Sequence, residues 1–318
     1  MLAFALRRLL ETIVTLLILS MLVFGMLLAA PGDPAVALLG RAAARPENQE
    51  LLERLRREMG LDQPVYVQYL RWIGRVIQGD LGVSNRNGEP VITLIASRFP
   101  ATLQLLTCST IVSLIIAIPL AVAAAVWRGS WFDQTLVFLS VAGVAIPGFW
   151  FGLILILVFS VYLGWLPPSG HTPLFEDPID SLQRSVMPVI TLSVYLVAAF
   201  TRFLRADLIE VLSQDYIRTA YAKGLSRRTV MWRHAMKNAL PSLWTMAGIE
   251  VGTLLGGVII IEQVFGWSGI GWLAVQAVNN RDYPLVLGTV LVVAAGFSFV
   301  TLITDLGYAW LNPELRYS

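Results

Sequence analysis

The chain has 318 residues, 56% hydrophobic and 14% charged, and its mean hydropathy of +0.69 is too high for a soluble domain of that length. A formal net charge of +2 leaves no electrostatic footprint for nucleic acid, and the single cysteine, Cys108, excludes an intrachain disulfide framework or a cysteine zinc site. Cys108 lies inside an apolar stretch and is expected to serve packing.

From the N-terminus, Leu9 to Ala30 is long enough to cross a bilayer, at ~1.5 Å per residue against a hydrocarbon core of ~30 Å. Arg7 and Arg8 precede it. A signal peptide cleaved after Ala29-Ala30 is the competing reading, but the apolar run exceeds the roughly 7–15 residues of a signal core. Pro31 would also sit just behind the cut, so an uncleaved first span is expected.

Residues 31–98 form the longest hydrophilic stretch, an insertion with two amphipathic patterns. In the first, Leu51, Leu52, Leu55 and Met59 make one apolar face and Gly60 closes the helix. The second places Tyr66, Tyr69, Leu70, Ile73, Val76 and Ile77 at helical spacing, ending at Gly79. Such a stripe suits a helix lying on the membrane surface or capping a bundle. The insertion either protects an outer mouth or docks a partner protein.

Further spans are read at Thr102 to Val126, Leu136 to Leu163, Val186 to Phe203, Leu243 to Ile261 and Leu285 to Trp310, which makes six and an all-α membrane protein. Pro119 and the Pro147-Gly148 pair predict kinks in the second and third spans. The chain thus divides into residues 1–30, the insertion 31–98, and a membrane core 99–318 that carries a polar loop at 205–241. Orientation follows from arginine and lysine in short loops. With a cytoplasmic N-terminus, the inside segments hold Arg7, Arg8, Arg128, Arg316 and the basic loop, whereas short outside segments hold Arg184 and Arg281. Both termini are therefore expected in the cytoplasm of a multi-pass protein.

The loop from Arg205 to Pro241 contains both lysines of the chain, Lys223 and Lys237, beside Arg218, Arg227, Arg228, Arg233 and His234. Asp215 is a cap for a short helix that Gly224 ends, and Ser226 is a cap for a second one that Pro241 follows. Two short helices joined at Lys223 to Ser226 are predicted.

Neither lysine is followed by Ser or Thr, so the chain has no G-x-x-x-x-G-K-[ST] phosphate cradle and cannot hydrolyse ATP by that route. Gly266, Gly269 and Gly271 lack dinucleotide-fingerprint spacing, and His171 and His234 belong to no H-E-x-x-H set. What remains is a path through the membrane. In the fifth span Gly248, Gly252 and Gly256 recur every four residues as a close-packing seam. Glu250, about 200° around the helix from Gly248, either lines a path with Gly252, Gly256 and Gly257 or makes a structural pair, with Arg202 the candidate partner. Glu262 reads as an interfacial residue. Asp305 is the one comparable acid in the last span, again with Arg202 as partner type.

Several motifs recur together: PGDP at 31–34, GLDQPVYVQYLRWIGRVIQGDLG from Gly60, AIPGFW from Ala145, DYIRTAYAKGLS from Asp215, and EQVFGWSGIG from Glu262 followed by DYP. In this combination the chain resembles, over nearly its whole length, the permeases of binding-protein-dependent ABC importers of the dipeptide, oligopeptide and nickel branch. Ala220 and Gly224 match that family's E-A-A-x-x-x-G loop, with Arg218 and Thr219 in place of its first two residues. The resemblance implies a type I importer fold with six spans. It also implies a second, usually different, permease, a pair of cytoplasmic ATPases that bind ATP and Mg, and an extracytoplasmic binding protein. Asp215, Tyr216, Arg218, Thr219, Ala220, Ala222, Lys223, Gly224, Leu225 and Ser226 would then be the coupling element, a helix seated in an ATPase groove. A solitary ion-coupled transporter is the alternative, but it would want more intramembrane carboxylates and inverted repeats.

Overall fold

The computed structural model describes residues 2–29, 34–39, 43–58 and 60–311. Ala30, the first three residues of the PGDP motif, Met59 and Arg316 lie outside them. The described chain is helical, with a single isolated bridge between Val83 and Pro90.

Helix α1 (Leu2–Ala29) covers the described part of the expected first span and packs along α13 (Tyr283–Leu311). The two are pinned at one end by an ion pair of Arg8 with Asp305 at 3.1 Å. Asp305 thus pairs with Arg8, not with the Arg202 expected, because the antiparallel course of these helices brings the first and last spans together. After the short α2 (Pro34–Leu39), α3 (Gln49–Glu58) ends as predicted: Gly60 has φ +70° and Leu61 N donates to Arg56 O at 2.9 Å. Its leucines build no core, since Leu51 is 45% exposed.

In α4 (Val65–Ile77) the predicted stripe is divided. Tyr69, Trp72, Ile73 and Val76 pack against Phe24 of α1 and Leu287 and Leu291 of α13, while Tyr66, Leu70 and Ile77 stay exposed. The Tyr69 and Ser20 hydroxyls are 2.8 Å apart, a hydrogen bond that fixes α4 on α1.

Helix α5 (Val91–Val126) begins well before the predicted Thr102 and runs as one element through Pro100 and Pro119. The third span departs furthest from expectation. It is two helices, α6 (Trp131–Ala145) and α7 (Gly148–Leu155), the latter widening into π-helical turns over Ile156–Tyr162, and the axis turns by 96° between them. Pro147 offers no N–H and holds Ile146 extended at φ −73°, ψ 123°, so the helical ladder stops there. Five other stretches among the described residues are long and apolar enough to cross a membrane, six spans in all when the bent pair is counted as one.

The centre of the bundle is α8 (Pro178–Leu212), whose Leu196, Phe200, Leu204 and Leu208 are fully buried. They pack with Leu105, Ala117 and Ala121 of α5 and with Leu243, Leu254 and Val258 of α11 (Met236–Val264). Helices α9 (Asp215–Ala222), α10 (Arg227–Thr229) and α12 (Ile270–Asn279) complete the chain. Cys108 is half-buried against the same core, as packing requires.

Candidate functional site

The polar loop is a helix–turn–helix with a hydrogen-bonded glycine turn. Gln214, extended at ψ 149°, precedes α9, so Asp215 occupies the first helical turn and is not the cap, a shift of one residue from the sequence expectation. Asp215 still favours the helix start through the dipole, and it meets Arg218 at 3.4 Å on the exposed side. Gly224 has φ +80°, and the bonds Gly224 N to Tyr221 O (2.9 Å) and Leu225 N to Ala220 O (3.3 Å) close the helix in a Schellman turn. Ser226 caps the next helix, accepting from Thr229 N at 3.3 Å.

That next helix does not end before Pro241. From α10 it passes through a π-helical segment, Val230–Ala235, directly into α11, so Pro241 lies inside one continuous helix that includes the fifth span. Ile217 and Ala220 are buried and join Val230, Met231 and Ala235 in the core. Asn238 of α11 donates to the Tyr216 hydroxyl at 3.0 Å and to His234 O at 2.8 Å. The remaining predicted residues, Asp215, Tyr216, Arg218, Thr219, Ala222, Lys223, Gly224, Leu225 and Ser226, face outward. With Arg227, Arg228 and Trp232 they make an exposed basic and aromatic surface on a helix whose other side is fastened to a membrane span.

Further along α11, the small-residue seam is half as long as its spacing suggests. A Cβ at Gly248 would lie 1.9 Å from Thr304 Oγ1, and one at Gly252 would lie 3.0 Å from the Phe297 ring, so both face α13. Gly256 and Gly257 meet nothing within 4 Å; with Ile249, Thr253 and Ile260 they leave one side of α11 uncovered. Glu250 is 7% exposed and is turned inward from that side, against Tyr195 of α8, which Arg202 also influences electrostatically. The predicted path residues are therefore split between a buried carboxylate, a helix contact and an open face.

Residues 117–317 match the family described as binding-protein-dependent transport system inner membrane component, and residues 1–106 match the N-terminal family of such components. This chain belongs to that family. The permease is 41% identical over 317 residues, covering 100% of both chains, to the glutathione transport system permease protein GsiC of Escherichia coli K12, and equally so to that of Salmonella paratyphi A. Among solved structures, an inward-facing form of the MetNI methionine ABC transporter shares its fold, with TM-score 0.53 and 18% identity over 70% of the permease and 97% of that chain. The type I fold and the role of permease subunit in an ABC importer of the inner membrane follow from these findings.

Some groups of the permease escaped the sequence reading. Glu262 is fully buried, not interfacial: its Oε1 accepts from Thr102 Oγ1 at 2.6 Å and its Oε2 from Trp272 N at 2.8 Å, while Ile270 N donates to Thr102 Oγ1 at 2.8 Å. A carboxylate on α11 and a hydroxyl on α5 thereby satisfy the first N–H groups of α12. Neighbouring Trp267 is also buried, donating Nε1–H to Ala101 O at 2.9 Å, and His171 stands edge-on to it at 4.5 Å. Burial, then the charge of Arg98, holds the His171 imidazole below its ordinary value, favouring the neutral ring. At the other end of the bundle, Arg205 grips Asp133 of α6 with two hydrogen bonds, the second at 2.6 Å, and Asp133 also accepts from Gly129 N at 2.9 Å. The usable signal was the isolation of these charges at the margins of apolar runs, where an unpaired charge is costly.

Proposed function

We propose that the permease forms, with a second and different permease subunit, the path by which a peptide-like solute related to glutathione enters the cytoplasm. Energy comes from separate ATPase subunits, since the chain carries no phosphate-binding lysine motif of its own. The substrate class rests on the full-length similarity to the glutathione permeases. Dipeptide, oligopeptide and nickel-chelate cargo are the other members of the branch that an uptake assay would separate. Both termini lie in the cytoplasm of a bacterial or archaeal cell, with the insertion 31–98 facing the binding protein on the other side.

The observation that carries the mechanism is the single continuous helix from Arg227 to Val264. Its cytoplasmic end holds α9 through Ile217, Ala220 and the Tyr216–Asn238 bond, and its membrane part carries Glu250, Gly252, Gly256 and Gly257. A displacement of the ATPase groove under Asp215–Ser226 therefore reaches the path without crossing a flexible joint, biasing inward-facing against outward-facing states. The open side of α11 at Gly256 and Gly257 is where the second permease closes the path.

The test is reconstitution of the complete transporter in vesicles with its binding protein. ATP-driven uptake of labelled glutathione, competed by short peptides, is expected. Uptake driven by an ion gradient without ATPase subunits would favour the solitary-transporter reading and overturn this one.

A further inference from the structure

A cavity of about 710 Å³ opens where α1, α4, α13 and the loop Asp80–Val83 meet, away from the coupling loop and from Glu250. Its size is within the roughly 300–1,000 Å³ of sites that hold drug-sized ligands. Its floor is apolar: Phe24 and Leu28 at the end of α1, Trp72 of α4, and Leu287 in the first turns of α13. Because α1 and α13 both cross the membrane and are tied at their opposite ends by Arg8 and Asp305, this floor lies at the membrane boundary.

The rim is charged with both signs. Arg71 and Arg75 stand one turn apart on α4, and neither makes an ion pair or side-chain hydrogen bond among the described residues. Arg71 lies over Gly60, where a Cβ would come within 3.2 Å of its Nη1, so the left-handed glycine that ends α3 also leaves room for the guanidinium. Glu58 and Asp80 complete the rim, Asp80 with one oxygen already accepting from Gly82 N at 2.8 Å. Guanidinium forks suit phosphate, carboxylates suit a primary ammonium, and a tryptophan at the boundary suits the region between headgroup and chain.

From the apolar floor beneath this two-signed rim, we infer that the cavity is a phospholipid site whose occupant is a zwitterionic ethanolamine-type headgroup. Arg71 and Arg75 hold its phosphate, Glu58 and Asp80 receive its ammonium, and its chains follow Phe24, Leu28 and Leu287. A soluble peptide would satisfy the rim but would leave the membrane-level floor uncovered. The site is independent of the cargo proposal; with the insertion 31–98 on the outer side, as proposed above, it lies in the outer leaflet.

Native mass spectrometry of the assembled transporter, titrated with phosphatidylethanolamine, phosphatidylglycerol or phosphatidylcholine, tests this. The ethanolamine lipid should be retained about tenfold better than the other two, the scale of one or two charge-assisted contacts. Arg71→Ala with Arg75→Ala should remove that excess, and Glu58→Gln should bring the ethanolamine and glycerol lipids closer together. Independently of any variant, a photoactivatable ethanolamine lipid should label Val65–Ile77. Equal retention of the three lipids by the wild type, undiminished retention by the double variant, or labelling confined to other segments overturns the site. None of these readouts involves uptake, so their failure leaves the cargo proposal untouched.

Discussion

At the scale of single residues, two carboxylates on α11 illustrate how burial alone assigns no role. Glu250 is held against Tyr195 in the middle of the span, whereas Glu262 is locked into the N-terminus of α12. Glu250→Gln keeps the shape and the hydrogen-bonding capacity toward Tyr195, so the complex should assemble and melt as the wild type does. If the carboxylate serves the path, uptake falls; a drop in melting temperature with uptake per complex unchanged would make it a structural partner instead. For Glu262 the expectation is the reverse. Glu262→Ala strands Trp272 N–H and Thr102, at about 1–3 kcal/mol for each buried donor left unmade, and should visibly lower the melting temperature. Glu262→Gln should cost less because one acceptor remains. Identical melting of wild type and the alanine variant would show that the cap is dispensable.

At the scale of elements, α9 and α11 make separable claims. Gly224 sits at φ +80°, a conformation that a β-branched residue resists, with nothing within 4 Å to crowd a side chain. Strain, not collision, is therefore what Gly224→Val introduces. Insertion of the spans should survive and uptake should fall severely, either because ATPases no longer co-purify or because hydrolysis is no longer stimulated by the loaded binding protein. Lys223→Ala removes an exposed charge without altering backbone preference and should be milder, most of all at high salt. Wild-type uptake by Gly224→Val would disqualify the loop as the coupling element. On α11 the contrast is between Gly248 and Gly256. Gly248→Ala drives a methyl into Thr304 and should destabilise the α11–α13 contact by roughly 1–3 kcal/mol. Gly256→Ala meets open space within the chain and relieves the conformational cost of a mid-helix glycine, so its own folding should be unchanged or stabilised by up to ~1 kcal/mol. Comparable losses of monomer yield in the two variants would refute the seam as drawn.

At the scale of the whole molecule, the permease is a conduit whose motor is elsewhere. The purified chain should show no ATPase activity, and activity should appear on addition of cytoplasmic partners; hydrolysis by the contaminant-free chain alone would contradict that. Its architecture was largely legible in one dimension. Apolar runs long enough for a bilayer, the arginine bias of the short loops, and the Gly224 and Ser226 punctuation each depend on neighbours within a few residues, so they can be read without coordinates.

What the sequence by itself determined was the inventory: a six-span membrane chain, the turn after α9, the placement of Glu250 on a different side of its helix from Gly248, and the motifs that mark the family. Only the tertiary structure decided how these pair. A proline in a span permits anything from a slight bend to the 96° break at Pro147, and the choice depends on what packs against the freed backbone. Asp305 found Arg8, Asp133 found Arg205, and Glu262 found Thr102, each across a long separation in the chain. Periodicity places a charge on one face of a helix. Which helix lies opposite that face is set by the packing of the whole bundle, and in a membrane an unpaired charge is costly enough that the answer is built around it.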